Sequence, residues 1–419
     1  MINSVVRVRL LTVSLCLIGL PVLGQASTEP GPFSRLYFDA LLVDSLQAQK
    51  ALPEITRAGE GAATRLAGGG RLYVASTRHD FVSEARVRAG GLMCINEYRR
   101  GQSLSSEDAV VVGWSNITPE QDLALVRELG ASGAFVVGIG PKSGGSATAA
   151  LLSEVDVYLD SSTSADNDAR RPFDGEAYPF ISLNNLALLW AFTGEMTAAL
   201  TRHDMMPAFY QSVLVPGARE RNRRHEGKQL VHSPTIPPVR PGQLGRNYLA
   251  GLGCSFRSLR DKEAGTIDRV ARTCLEVRAS GNRIHAWLIA HFPYHQPGMP
   301  GDPGFFEQLE KVSGEVPTTT KLEKTLQSGD LFFFLGYYRR PAGAYRVARR
   351  AGASIVEVIA GLDNAPLKEP APDHIIRPWW SYGDALVSVP NYDIRILPSS
   401  GIVQASIYWA VVGSMVAER

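Results

Sequence analysis

One stretch of this chain is written twice. Residues 108–140 and 330–361 each open on an aspartate, Asp108 or Asp330, and enter a short apolar run: Ala109 to Val112 in one, Leu331 to Leu335 in the other. An apolar run of that length without polar alternation suits a strand covered on both faces. In the first copy a small-residue loop leads to Pro119, which sits in the first turn of a helix, where its missing N–H costs little. Thr118 is placed to cap that helix, Gly130 to end it, and Leu123, Val126 and Leu129 to face inward. Phe135 to Ile139 is the next strand. At a constant offset Pro119 falls on Pro341, and Arg127 to Ser132 fall on Arg349 to Ser354. The echo extends outward: Arg71 and His79 match Arg283 and His291, and Pro179, Trp190, Gly194 and Met196 match Pro398, Trp409, Gly413 and Met415. A repeat of half a chain is too long for a solenoid. It predicts two homologous α/β domains in tandem.

The rest of the chain fits around this pair. Arg7 and Arg9 precede an apolar run from Leu10 to Leu20, and Gly24 and Ala26 place small residues before a cleavage point, the pattern of a secretory signal. The run is short for a membrane span. Residues 1–26 are therefore expected to be a signal peptide, with a secreted or periplasmic mature protein and no later membrane span. The first domain is expected over 27–214, a linker over 215–244 and the second domain over 245–419. Arg219, Arg221, Arg223, Arg224 and Lys228 cluster in that linker ahead of Pro234, Pro237, Pro238 and Pro241. It reads as a stiff, solvated connection, with a basic arm (219–228) touching an anionic partner as the other option. No aromatics interleave with these charges as a nucleic-acid platform would require. A net charge of +2 gives no electrostatic case for nucleic acid or a membrane surface.

Helices are expected at Phe33 to Gln49, Glu54 to Leu66, Val82 to Leu92 and Leu183 to Leu200. The strand Arg71 to Ala75 ends in the loop Ser76 to His79. The second half restarts with helices at Arg246 to Leu259 and Ile267 to Arg278, then a strand from Ile284, and closes on a helix at Val403 to Val416. Cys254 and Cys274 fall on that helix pair, level with each other across its turn. A disulfide between them is compatible with export, as are two buried thiols.

The loop Gly113 to Glu120 resembles the motif S-x-S-G-x-T-x-E of the sugar isomerase (SIS) domain family. Ser115, Thr118 and Glu120 match it, while Gly113 stands for the family's first serine and Asn116 for its glycine. Ser76 and Thr77 resemble the family's first ligand loop, which also follows a strand. The resemblance spans both halves and implies two tandem three-layer αβα domains with parallel sheets in a flavodoxin-like topology. It further implies a sugar or phosphosugar ligand held by Ser76, Thr77, Ser115, Asn116 and Thr118. Hydroxyls and free N–H groups at a helix N-terminus suit an anionic group. In the second copy Tyr337, Tyr338 and Arg340 replace Ser115, Asn116 and Thr118, so that half is expected to keep the fold but not the ligand, with Arg339 and Arg340 still able to attract an anion.

An aldose–ketose isomerase would need an acid–base group. His79 and Glu84 are the candidates, and Glu84, like Glu120, is equally explained by helix-dipole complementarity. His291, His295 and Asp302 lack a clear further ligand, so no metal is expected, and no cofactor. Trp379, Trp380 and Tyr382 suit a sugar face or a core. The function expected is binding of a sugar or phosphosugar, isomerisation being its enzymatic version. A homodimer is left open. A periplasmic solute-binding protein and a structural protein with a degenerate site are the alternatives. The first usually passes its chain between lobes more than once, and here one linker joins two sequential repeats.

Overall fold

The computed structural model describes residues 33–142, 145–165, 167–173, 178–228, 230–232, 235–288, 297–309, 319–337, 340–360, 370–380 and 382–419. The expected leader and the histidines His291 and His295 lie outside these residues, as do Tyr338 and Arg339.

The first half runs α1 (Phe33–Lys50), α2 (Leu52–Ala67), β1 (Leu72–Ser76), α3 (His79–Ala85), β2 (Ile95–Glu97), β3 (Ala109–Gly113), α4 (Pro119–Ala131), β4 (Phe135–Gly140), α5 (Gly145–Ser153), β5 (Val157–Asp160), α6 (Asn167–Arg170) and α7 (Tyr178–Thr201). A hairpin of β6 (Met205–Pro207) and β7 (Leu230–His232) brackets α8 (Ala218–His225). The second half runs α9 (Gln243–Ser258), α10 (Ala264–Ala279), β8 (Ile284–Leu288), β9 (Glu307–Gln308), α11 (Thr319–Thr325), β10 (Leu331–Gly336), α12 (Ala342–Ala351), β11 (Ser354–Ile359), β12 (His374–Ile376), the antiparallel pair β13 (Val387–Ser388) and β14 (Arg395–Ile396), and α13 (Ser400–Ala417).

The two halves have one topology. The first sheet is ordered β2-β1-β3-β4-β5 and the second β9-β8-β10-β11-β12, and every neighbouring pair is parallel. The equivalence extends to single bonds. Asp108 accepts the Arg71 N–H at 2.9 Å and the Ser105 N–H at 2.8 Å, and Asp330 accepts the Arg283 N–H at 3.0 Å and the Gln327 N–H at 2.8 Å. The repeated aspartate therefore staples the amino ends of two strands in each sheet. Asp156 and Asp373 likewise accept from Val136 N and Ile355 N, both at 2.7 Å.

The sequence match along the helix is corrected by these bonds. Phe135 N and Ser354 N donate to the carbonyls of Asp108 and Asp330, each at 2.9 Å, so Phe135, not Ser132, is the partner of Ser354. The slip is absorbed because α12 has 10 residues and α4 has 13. The left-handed glycines Gly133 (φ 77°) and Gly352 (φ 79°) then occupy the same turn.

Each sheet is covered on both faces. Val110, Val112 and Val136 pack under α4, and Phe332, Phe334 and Ile355 under α12. The opposite faces, with Val111, Val137, Phe333 and Val356, share one core with the long helices. In that core the first helix of each half is exchanged. α2 packs on α7 and α10 on α13, within their own halves, but α1 packs on α9 and α13, and α9 packs on α7. The crossing points are the repeated glycines: Gly194 of α7 lies against Gly245 of α9, and Gly413 of α13 lies against the Phe33 ring of α1. A polar clamp marks each crossing. Glu195 of α7 accepts the Gly242 and Gly245 N–H groups at the start of α9 (2.5 and 2.7 Å) and the Thr56 hydroxyl of α2 (3.3 Å). In the other half Asp268 of α10 accepts Ser34 of α1 at 2.9 Å and Ser414 of α13 at 2.8 Å.

Three expectations change. The helix expected to reach Leu92 ends at Ala85, because the chain turns back through Val87 (φ 52°) to drive Arg88 into the core. Segment 215–244 is not a solvated linker throughout: α8 and β7 form there, and buried Arg221 holds Asp393 (2.6 and 2.8 Å) and the Phe209 carbonyl (2.8 Å). Cys254 and Cys274 are free, one exposed and one buried. Buried Leu252 and Phe256 fix the inward face of α9, and Cys254, two residues from each, lies about 200° round the helix from it. Helix α13 is long and apolar enough to cross a membrane, but 89% of it is buried in this core.

Candidate functional site

The carboxyl ends of β1 and β3 bring the two sequence-predicted loops together. β1 delivers Ser76, whose hydroxyl donates to the Gly113 carbonyl at 2.8 Å and accepts the Arg78 N–H at 2.9 Å. Gly113 carries no side chain for a physical reason: a Cβ there would lie 2.7 Å from the Phe81 ring. Trp114 then turns inward, stacked on Tyr158 at 5.8 Å, and Gly138 and Gly140 clear the floor under its indole. Asn116 adopts φ 62°, a left-handed conformation that asparagine tolerates better than most residues.

Thr77 and Thr118 place their hydroxyl oxygens 3.2 Å apart across the loops. Thr77 donates to the carboxylate of Asp122, a residue of the first turns of α4 that is 1% exposed. The N–H groups of Ser115 and Asn116 are directed at the same carboxylate. Burial raises the Asp122 pKa, and the Thr77, Ser115 and Asn116 hydrogen bonds together with Arg78 oppose that rise. Sequence reasoning did not single out Asp122; an acid four residues beyond Thr118, which holds the N-cap position of α4 but makes no side-chain capping bond, was the available signal.

Two recesses adjoin this loop pair. The outer one is a polar cleft of about 250 Å³ lined by Ala75, Ser76, Thr77, Tyr98, Arg100, Gln121 and Leu125. Arg100 is tethered to the Gln121 carbonyl at 3.2 Å, and Glu128 holds both the Tyr98 hydroxyl and the Gly101 N–H at 2.7 Å. Burial and Glu128 push the Tyr98 hydroxyl up to about 12. The inner one is narrow, lined by Ser76, Arg78, Asp80, Ser115, Ser182 and Asn185 among others. Among the polar atoms of its lining residues, Ser115 Oγ, Asn185 Oδ1 and Trp114 Nε1 are buried without a hydrogen-bond partner. Asn185 Nδ2 donates to the Trp114 carbonyl at 2.9 Å, and Asp80 accepts the Ser182 hydroxyl at 3.2 Å.

Glu84 is not part of either recess. It is 1% exposed, 3.3 Å from Arg88, and packs against Gly401 of α13. Arg88 also meets Asp384 at 3.5 Å and Ser400 at 3.0 Å, and Ser400 accepts or donates at 3.0 Å to Tyr337. This cluster joins the two halves. Burial raises the Glu84 pKa to about 7 against the pull of Arg88. His79 begins α3.

The second half fills its corresponding position. Gln404 donates to the Gly336 carbonyl at 2.9 Å, as Asn185 does to Trp114, but Tyr337 in place of Ser115 packs on Trp380 at 5.2 Å. Arg340, expected to attract an anion, is bound at 2.8 and 3.0 Å to Glu357, which also accepts the Tyr345 hydroxyl at 2.8 Å. Trp379 gives its indole N–H to Glu263 and its face to Lys262, so neither it nor buried Trp380 presents a sugar platform. Among the described residues no group of His, Cys, Asp and Glu could hold a metal.

No family model and no curated protein matches the sequence. Solved structures do. A candidate phosphosugar isomerase from Silicibacter pomeroyi is similar at 12% identity and a TM-score of 0.46, over 92% of this chain and 97% of that one. The C-terminal domain of glucosamine-fructose-6-phosphate aminotransferase from Francisella tularensis is similar at 8% identity and a TM-score of 0.44, over 89% and 95%. A candidate sugar-binding protein from Salmonella typhimurium is similar at 11% identity and a TM-score of 0.45, over 91% and 99%. This chain itself has two tandem parallel sheets in one strand order, between helices.

Proposed function

We propose that the first half binds a carbohydrate at the carboxyl ends of β1 and β3, and that the second half is a scaffold for it. The observation that carries this reading is the pair of adjoining recesses: a polar cleft of about 250 Å³, large enough for a sugar ring, opening beside an inner recess in which Ser115 Oγ and Asn185 Oδ1 are buried without partners. Buried polar atoms are normally satisfied, and a ligand hydroxyl meets the need of both. Binding is the reading stated here because Glu84 is sealed between the halves, Asp122 is held by Thr77 in the loop, and Asp80, the carboxylate of the inner recess, is engaged by the Ser182 hydroxyl and the Phe81 N–H.

The exchange of α1 and α9 favours a single rigid binding unit over a two-lobed solute receptor, since two lobes that each hold a helix of the other cannot hinge apart around a ligand. Export, carried by the N-terminal sequence pattern, remains part of the proposal. The test is a thermal-shift and calorimetric screen of the protein against monosaccharides, amino sugars and their phosphates. A ligand at about 100 times its dissociation constant stabilises by about 2.7 kcal/mol. No shift with any of them, in the native protein, refutes the reading.

A further inference from the structure

The N-terminus of α4 has the components of an anion site. The Ser115 and Asn116 N–H groups converge there with the Thr77 and Thr118 hydroxyls at the positive end of a helix. In this chain the place is already taken. The Asp122 carboxylate, itself buried, receives Thr77 through one oxygen and faces the two N–H groups, while its other oxygen has no hydrogen-bond partner. Nothing in the fold demands an acid at this point, because the first turn of α12 carries none.

We propose that the first half selects unphosphorylated sugars, with Asp122 acting as a built-in anion that closes the loop to phosphate and with Asn185 and Ser115 receiving a ligand hydroxyl. The proposal rests on the carbohydrate reading of the cleft.

The inner recess gives the second, independent reason. The Asn185 amide is oriented by its bond to the Trp114 carbonyl, which only the Nδ2 end can make. The end turned to the recess is therefore the oxygen, an acceptor that requires a donor. Asp80 adds a carboxylate whose oxygens accept from Ser182 and from the Phe81 N–H. Ser115 can donate or accept. A sugar hydroxyl donates to Asn185 and accepts from Ser115 with one oxygen. A phosphate dianion brings acceptors alone and leaves Asn185 Oδ1 facing a negative oxygen. The cationic group of the recess, Arg78, stands between two acids, 3.9 Å from Asp80 and within the field of Asp122. Arg100 lies at the outer cleft, tied to Gln121.

The experiment uses the full protein, with inorganic phosphate as one probe and glucose, glucosamine and N-acetylglucosamine, each free and as its 6-phosphate, as the others. Phosphate is expected to leave the melting temperature of the native protein unchanged and to raise that of Asp122→Asn, with a gain in phosphate affinity of about tenfold or more, the factor of one charge-assisted hydrogen bond. Adding Thr118→Val should remove the gain. Asp122→Ser, which keeps a hydrogen-bonding group in the loop, makes the same measurement if the asparagine variant does not melt cooperatively.

Equal phosphate affinity in native and variant proteins overturns the proposal. So does any sugar whose 6-phosphate binds the native protein more tightly than the free sugar. If no sugar binds in either form, the carbohydrate reading fails on its own, while the phosphate comparison still decides whether Asp122 closes the loop.

Discussion

Glu84 shows how a single buried group sets a pH dependence. It sits with Arg88, Asp384, Ser400 and Tyr337, and its side chain also reaches Trp190. One guanidinium lies between two carboxyls, and burial raises the pKa of both acids. The two titrate as a pair. A folded pKa raised to about 7 from the ordinary carboxyl value of 4.5 means that the folded state binds the extra proton, so stability is full below about pH 4.5 and declines as pH rises to about 7. The decline is at most about 3 kcal/mol. Glu84→Gln leaves Arg88 opposite Asp384 alone and should flatten the profile across this window, as measured by urea unfolding at a series of pH values. An equal slope in both proteins would move the titration elsewhere. Inside the site, Ser115→Ala should cost any bound sugar about 0.5–1.5 kcal/mol, the value of one neutral hydrogen bond, without altering the melting temperature of the free protein. Gly113→Ser completes the serine of the motif that this loop resembles but drives a side chain into Phe81. We expect it to lower stability by about 1–3 kcal/mol in thermal unfolding rather than to improve binding.

Between elements, the contacts at the helix crossings decide stability. A Cβ on Gly59 would lie 2.5 Å from the Met196 backbone nitrogen, so Gly59→Ala must part α2 from α7 and should cost about 1–3 kcal/mol, whereas Gly253→Ala, 3.4 Å from the Ser45 hydroxyl, should be close to neutral. Chemical denaturation of the two variants checks the contrast. The strands and long helices were legible because each is an apolar run or a 3.6-period stripe, and the repeat was legible because Asp108 and Asp330 do the same work. Which helix α1 would choose was not legible. The apolar face of Phe33, Tyr37, Phe38 and Leu41 demands a partner but names none. The cysteine pair was open between a bridge and two buried thiols, and neither holds for Cys254: apolar neighbours suggested an inward orientation, but Leu252 and Phe256 take the packed face of α9 and leave Cys254 exposed. Of the site, the loops were readable from their hydroxyls. Asp122 and Asn185 were not, since an acid or amide on a helix is ordinary until its neighbours are known.

The two sheets and their helices form one cooperative body, so residues 33–232 expressed alone should lack a native core. Circular dichroism and limited proteolysis of that fragment would show helix without protection, and a cooperative, protease-resistant unfolding transition would contradict it. A ribosome makes α1 long before α13. The face of α1 that ends on Gly413 must therefore wait, uncovered, until the second half has been made, and the usual order of maturation, first half before second, is closed to this protein. Under the export proposed above, the delay has a use. A polypeptide that cannot finish its shared core before α13 emerges stays threadable until then.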